Sequence, residues 1–325
     1  MKTEMSPIYI IVVSIVVLVL ASALGLLFGT TTLSLGDVFT NPDVRMVLLE
    51  LRLPRVLFAI LVGGALAIVG AAYQTLFRNP LASPFTLGVS SGAALGAALS
   101  LMATTSVFGV ASSAMLGALV SISLILLISR RMGSAAGDSL LLVGIVFSFF
   151  CSSILTMLQY LSDYSQLFRV TRWMMGGIPA VRYSDLTIGA FLTIVLCGWL
   201  VRTYREFDLM LFGDDVATVK GASVRRLYYV TFILSSLVVG WIVSQCGVIG
   251  FVGIVVPAVA RLLVGLRHRY VVPLSFVLGA LLVVLCDLLG RVVRPPFEVP
   301  AGVFTAILGG PIFIVLALGS YRRIR

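Results

Sequence analysis

Apolar residues in this chain come in long unbroken runs, not in the short alternating or helix-periodic patterns of water-soluble domains. Ten runs approach the ~20 residues an α-helix needs to cross a bilayer. They lie near 8–28, 56–76, 85–103, 110–128, 140–160, 186–201, 227–246, 249–266, 272–289 and 303–318. Only 11% of the residues are charged and 60% are hydrophobic, whereas a soluble domain carries about a quarter charged residues. Lipid is therefore the solvent for most of the chain. The implied fold is all-α, a polytopic membrane protein of about ten transmembrane helices forming a single domain over residues 1–325. The first run lacks a clear cleavage site and reads as a span, not a removable leader. Pro257 interrupts the eighth run and predicts a kink or break there.

The charge is concentrated in the gaps between runs. The chain carries 23 basic residues and a net charge of +10, and Lys2 and Lys220 are its only lysines. A basic chain can bind nucleic acid, but arginines confined to short inter-span loops act as topology signals, so no nucleic-acid partner is expected. With the N-terminus inside, fifteen basic residues fall on the inner side, among them Arg78, Arg130, Arg225, Arg226 and Arg261. Eight fall outside: Arg45, Arg52, Arg55, Arg169, Arg172, Arg182, Arg291 and Arg294. Both termini are thus expected in the cytoplasm, and the eight outer arginines call for a reason of their own. Three loops, 33–55, 162–182 and 204–226, are long enough to hold structure. The last is polar, lies inside, and predicts a short helical segment at the membrane surface. Arg55 leads through Gly70 to Gln74, and Arg226 leads through Gly240 to Gln245, on helices of opposite direction. That is either an inverted repeat or chance similarity between apolar segments.

Several chemistries lack their residues. The single histidine, His268, sits between Arg267 and Arg269 and reads as a solvated loop residue, which argues against a histidine metal site or a Ser/His hydrolase. No phosphate-binding loop occurs, since neither lysine follows a glycine. Cys151, Cys197, Cys246 and Cys286 lie in apolar runs without metal-ligand spacing and read as small buried hydrophobes. No cofactor or metal is expected. Acidic residues are nearly absent from the spans. Asp287 stands one helical turn before Arg291, a spacing that suits a structural ion pair. On the fifth run, Ser148, Ser152, Thr156 and Gln159 are spaced 4, 4 and 3 apart and share one helix face. That face serves either helix packing through small polar groups or an uncharged lining for a translocation path.

Three segments resemble the type II bacterial importer permeases for ferric siderophores, haem and cobalamin. The first is Leu51-Arg-Leu-Pro-Arg55 with Gln74-Thr-Leu-Phe-Arg-Asn-Pro-Leu-Ala-Ser-Pro84 and Leu87-Gly-Val-Ser-Ser-Gly92. The second is Gly247-Val-Ile-Gly-Phe-Val-Gly-Ile-Val-Val-Pro257, continuing to Arg261. The third runs from Asp287 through Pro300-Ala-Gly-Val-Phe-Thr-Ala-Ile-Leu-Gly-Gly-Pro311. The resemblance covers nearly the whole chain and does not specify the cargo. It implies a cobalamin-permease-like, ten-helix subunit of the bacterial inner membrane that pairs as a homodimer. It also implies two ATP-binding subunits and a periplasmic or lipid-anchored substrate-binding protein as partners.

Residue roles follow from the same resemblance. Arg52 and Arg55, with Arg291 and Arg294, match external contacts to acidic residues of the binding protein; the competing reading of each is a headgroup anchor. The inner segment Leu211-Phe-Gly-Asp-Asp-Val-Ala-Thr-Val-Lys-Gly221 matches the ATPase-coupling helix, with Gly213 and Gly221 at its ends and Asp214 or Asp215 at its positive N-terminus. Gly137, Asp138 and Ser139 occupy the place of the cytoplasmic gate. Gly137 and Asp138 depart from the small hydroxyl residues of that family, and Asp138 reads equally as an N-cap. Ala258 departs where many members carry His. The face Ser148, Ser152, Thr156 and Gln159 would line the path. The rival functions are an ion-coupled secondary transporter, which would work alone, and an intramembrane enzyme, which would need a reactive pair in the bilayer.

Overall fold

The computed structural model describes residues 6–29, 36, 41–103, 109–132 and 136–321. Lys2, Arg322, Arg323 and Arg325, and most of 33–40, lie outside them. Among the described residues every regular element is helical. Each expected span coincides with one helix: α1 (Pro7–Leu27), α3 (Leu53–Leu76), α4 (Val89–Met102), α5 (Val110–Arg131), α6 (Ala136–Leu161), α8 (Tyr183–Arg202), α11 (Val224–Cys246), α12 (Val252–Val264), α13 (His268–Val292) and α14 (Ala301–Tyr321). Four shorter helices fill the loops: α2 (Pro42–Met46), α7 (Tyr164–Met174), α9 (Tyr204–Met210) and α10 (Asp214–Val219). A π-helical turn, Val47–Arg52, joins α2 to α3.

Local chemistry sets the helix ends. Ser6 caps α1 by accepting from Tyr9 N, and Pro7 stands at a position where its missing N–H costs nothing. Asp163 and Gln166 form a reciprocal capping box on α7. The backbone N–H of Gln166, aided by the Ser165 hydroxyl, holds the Asp163 carboxyl below its ordinary range. Only Ser14, Ala21 and Gly25 of α1 are buried. Its remaining surface, with Val19 and Leu20 about three-fifths exposed, is the surface lipid would cover.

Seven of the described helices are long and apolar enough to cross a membrane, and α4 and α12 are shorter, at 14 and 13 residues. At 1.5 Å per residue, the 13 residues of α12 reach about 20 Å, short of a ~30 Å hydrocarbon core. Of the kink or break expected at Pro257, the break is absent. Helix α12 runs through the proline, and the chain instead leaves helix between Gly247 (φ +72°) and Phe251 (φ +65°). His268 also departs from expectation: it is 2% exposed, the first residue of α13.

The chain divides into two compact units. The first comprises residues 1–71, 177–191 and 249–325. In it α1 packs on α13 and α12, and α14 packs on both of those. Glycines permit these crossings: a Cβ on Gly63 would lie 2.1 Å from the Gly279 carbonyl oxygen, and one on Gly70 would lie 1.9 Å from that of Gly253. Ala71, Ala260, Val264, Val271 and Leu274 form a core cluster, and Arg261 donates to the Ala71 carbonyl at 3.0 Å.

The second unit comprises residues 72–176 and 192–248. Helices α4 and α5 form its tightest pair, meeting at Gly92 and Gly117, with α6 and α11 against them. Helix α7 lies on the end of α4, where Gln166 donates to the Met102 carbonyl at 3.0 Å. Polar side chains also pair between helices: Tyr73 bonds Ser235, and Trp199 Nε1 donates to Thr231 at 2.9 Å.

Candidate functional site

The first polar cluster gathers around the C-terminal end of α1. A helix end leaves carbonyls without intrahelical partners and carries partial negative charge. Two guanidiniums answer it. Arg52 Nη1 donates to the carbonyls of Leu26 and Leu27, each at 2.9 Å. Arg291 Nη1 donates to those of Gly25 at 3.1 Å and Phe28 at 3.4 Å. Asp287 sits between Arg291 and Arg55: its Oδ2 is 3.0 Å from Arg291 Nε, and its Oδ1 accepts from Arg55 Nη2 at 2.8 Å and Nε at 3.1 Å. Arg55 also donates through both terminal nitrogens to Glu298, at 3.1 and 2.9 Å, a bidentate fork.

Burial separates these residues. Arg52, Asp287 and Arg291 are 7, 3 and 4% exposed, and Glu298 is open to the surface. The expected Asp287–Arg291 pair is present. The four arginines expected to meet the binding protein do not share one environment: Arg52 and Arg291 are buried and donate to the end of α1, Arg55 is held by two carboxylates, and Arg294 is exposed over the ring of Phe297. Glu298 escaped sequence reasoning, because 243 residues separate it from Arg55.

The polar face of α6 is partly open. Ser152 and Thr156 are exposed, and Ser148 and Gln159 are half-buried. Ser148 and Thr156 each donate to the carbonyl one turn back, at 2.9 Å, so neither hydroxyl is left without an acceptor. Gln159 Nε2 lies 3.7 Å from Met174 Sδ.

The remaining predicted residues converge on one place in the second unit. Gly213 (φ +109°) and Gly221 (φ +88°) bound α10, as expected. Asp214 and Asp215 occupy its first turn. Asp214 Oδ1 lies 3.4 Å from Arg78 Nη2, and Asp215 is exposed. Three apolar side chains on and beside α10, Phe212, Val216 and Val219, are 74, 41 and 88% exposed. At the start of α6, Gly137 is buried against the ring of Tyr228, Ser139 bonds Ser129 at 2.7 Å, and Asp138 is exposed. Because α6 begins at Ala136, Asp138 lies inside its first turn and is not its N-cap. Tyr228 was not anticipated; nothing in an apolar run marks one tyrosine as a junction.

Ten apolar helices, helical inter-span segments and a buried charge cluster define a polytopic transport-type membrane protein. Residues 15–319 match the FecCD transport family, and the chain belongs to that family. It is 36% identical over 317 residues to the hemin transport system permease protein HmuU of Yersinia pestis, covering 95% of this chain and 94% of that one. It is 35% identical over 312 residues to the vitamin B12 import system permease protein BtuC of Vibrio parahaemolyticus, covering 94% of each. It is 37% identical over 272 residues to the Fe(3+) dicitrate transport system permease protein FecD of Escherichia coli, covering 83% of this chain and 84% of that one. The structure of an inward-facing metal-chelate type ABC transporter superposes with a TM-score of 0.86 at 29% identity, over 96% of this chain and 99% of that one.

Proposed function

We propose that this chain is the membrane-spanning permease subunit of an ATP-driven importer of a metal chelate, a ferric siderophore, haem or cobalamin. It works as a homodimer in the inner membrane with both termini cytoplasmic. Two ATP-binding subunits dock on the cytoplasmic side and a substrate-binding protein on the other. The observation that carries the reading is α10: a short helix between two left-handed glycines that presents Phe212, Val216 and Val219 to solvent. Exposed apolar side chains on an otherwise polar loop form the core of a protein contact, here one with the ATPase.

The other roles follow from that orientation. Ser148, Ser152, Thr156 and Gln159 line the path where the two copies meet, and 137–139 form the inner gate. Docking of the acidic binding protein falls to Arg294 and to Arg55, whose partner Glu298 is accessible. Arg52 and Arg291 act beneath that surface by pinning the end of α1. The test is reconstitution in liposomes. Chelate accumulates only when the ATPase, ATP and the binding protein are all present. Uphill transport by the chain alone on an ion gradient would overturn the reading.

A further inference from the structure

Tyr228 stands in the first two turns of α11 and is 2% exposed. Its hydroxyl donates to the carbonyl of Leu76, the last residue of α3, at 2.6 Å. The same hydroxyl lies 3.4 Å from Asp214 Oδ2 at the start of α10. The face of its ring is closed by Gly137 in the first turn of α6: a Cβ there would come within 2.6 Å of the ring's Cζ and hydroxyl and 2.7 Å of Cε1. The ring of Phe77 closes another side, 5.9 Å between centroids. One side chain thus touches three elements, the end of α3 and the starts of α6 and α10.

A phenol hydroxyl has a single proton. It can go to the Leu76 carbonyl or to the Asp214 carboxylate, but not fully to both. At 2.6 Å the Leu76 bond is strong, and at 3.4 Å the Asp214 contact is beyond good bonding distance. A carboxylate is nonetheless the stronger acceptor. Movement of α10 toward Tyr228 shortens the Asp214 contact and shifts the balance toward the carboxylate. The ring is rigid and packed without free space against Gly137, and close-packed interiors pass on such shifts instead of absorbing them.

We infer that Tyr228 is a positioning residue that couples movement of α10 to the start of α6, by switching its hydroxyl proton between Leu76 and Asp214 while its ring bears on Gly137. The inference rests on the reading of α10 as the ATPase contact and of 137–139 as the gate.

The test uses the complete importer in liposomes and measures chelate taken up per ATP hydrolysed. Tyr228→Phe keeps the ring and removes the proton. It is expected to assemble with the ATPase and to melt somewhat below the parent, since the buried Leu76 carbonyl loses its donor, while uptake per ATP falls about tenfold, the worth of one charge-assisted hydrogen bond. Gly137→Ala, which pushes on the ring, lowers the same ratio, and the two changes together cost less than their product. A ratio within twofold of the parent in Tyr228→Phe overturns the inference. If that variant does not assemble, Asp214→Asn decides by the same criterion, since it removes the competing charge at constant size. The underlying reading fails separately: Phe212→Asp with Val219→Asp should abolish ATPase binding, and retained binding would show that α10 is not the contact.

Discussion

Asp287 is the residue on which the charge cluster at the end of α1 depends, and its neutralisation is the most informative change available. Its carboxylate is 3% exposed and contacts Arg55 at 2.8 Å and Arg291 at 3.0 Å. Asp287→Asn leaves the guanidinium of Arg291, itself 4% exposed, with carbonyl partners alone. Arg55 retains Glu298. Removing one member of a buried ion pair costs about 3–5 kcal/mol, because the remaining charge stays desolvated and uncompensated. That is two to nearly four powers of ten in the folded-to-unfolded ratio, and roughly a third or more of a typical domain's stability. Glu298→Gln is the matched control. Its pair with Arg55 is more than a third exposed on the glutamate side, so solvent screening limits the loss to about 1 kcal/mol or less. Equilibrium unfolding in detergent measures both. A second arm separates charge from packing: Asp287→Leu combined with Arg291→Met removes the pair together and is expected to recover most of the loss. Asp287→Asn within about 1 kcal/mol of the parent, or a double variant no better than the single one, would refute the reasoning.

Three further outcomes follow from the same structure. Glu298→Gln removes the exposed one of the two carboxylates on Arg55, leaving Asp287 in place, and should tighten binding of the acidic binding protein by up to about fivefold at low salt, with a steeper salt dependence, in a surface-capture assay. Gly70→Ala places a Cβ 1.9 Å from the Gly253 carbonyl oxygen, an atom of backbone that cannot step aside; a loss of about 1–3 kcal/mol is expected in thermal melts, whereas Gly198→Ala, with nothing within 4 Å, costs nothing. Asp163 caps α7 as a carboxylate whose pKa is depressed, chiefly by the Gln166 N–H. Its contribution is therefore complete above the ordinary carboxylate range, about 3.9, and is lost as pH falls through the lower folded value. Amide exchange at Gln166 should be fast in Asp163→Ala at neutral pH and accelerate in the parent only in strong acid.

The span count was legible because bilayer thickness, not packing, sets it: a run of sufficient apolar length needs no tertiary information. The breaks were not. Pro257 looked like the interruption because a proline within a helix frees the carbonyl four residues back, here that of Gly253. Gly253 is also where Gly70 packs closest, and α12 runs on through the proline. The real departure from helix, between Gly247 and Phe251, depends on two left-handed residues. A glycine among 31 others gives no sign of its φ, and a phenylalanine in that region is still less foreseeable. His268 was misplaced for the same reason: its burial is decided by what packs over the start of α13.

The arginines show where loop counting stops. A topology argument treats each arginine between spans as a charge in water, so it leaves the arginines expected outside without a reason, and only the family resemblance singled out Arg52, Arg55, Arg291 and Arg294 for docking. A guanidinium carries five donors, and what they find decides whether it faces a partner or the protein. For Arg291, one acceptor stood four residues away and was readable as an i, i+4 pair. The others, for Arg291 and Arg52 alike, are carbonyls of α1 from 25 to 266 residues distant. A helix end supplies several acceptors and a partial negative charge without any acidic residue in the sequence, so a search for carboxylates could not find it. Arg294 has no such acceptor among the described residues and remains at the surface. Counting acceptors, not charges, therefore separates Arg52 and Arg291, which hold the end of α1, from Arg294, which is left to meet another protein. It assigns loss of docking without loss of stability to Arg294→Glu, and the reverse order of effects to Arg291→Met.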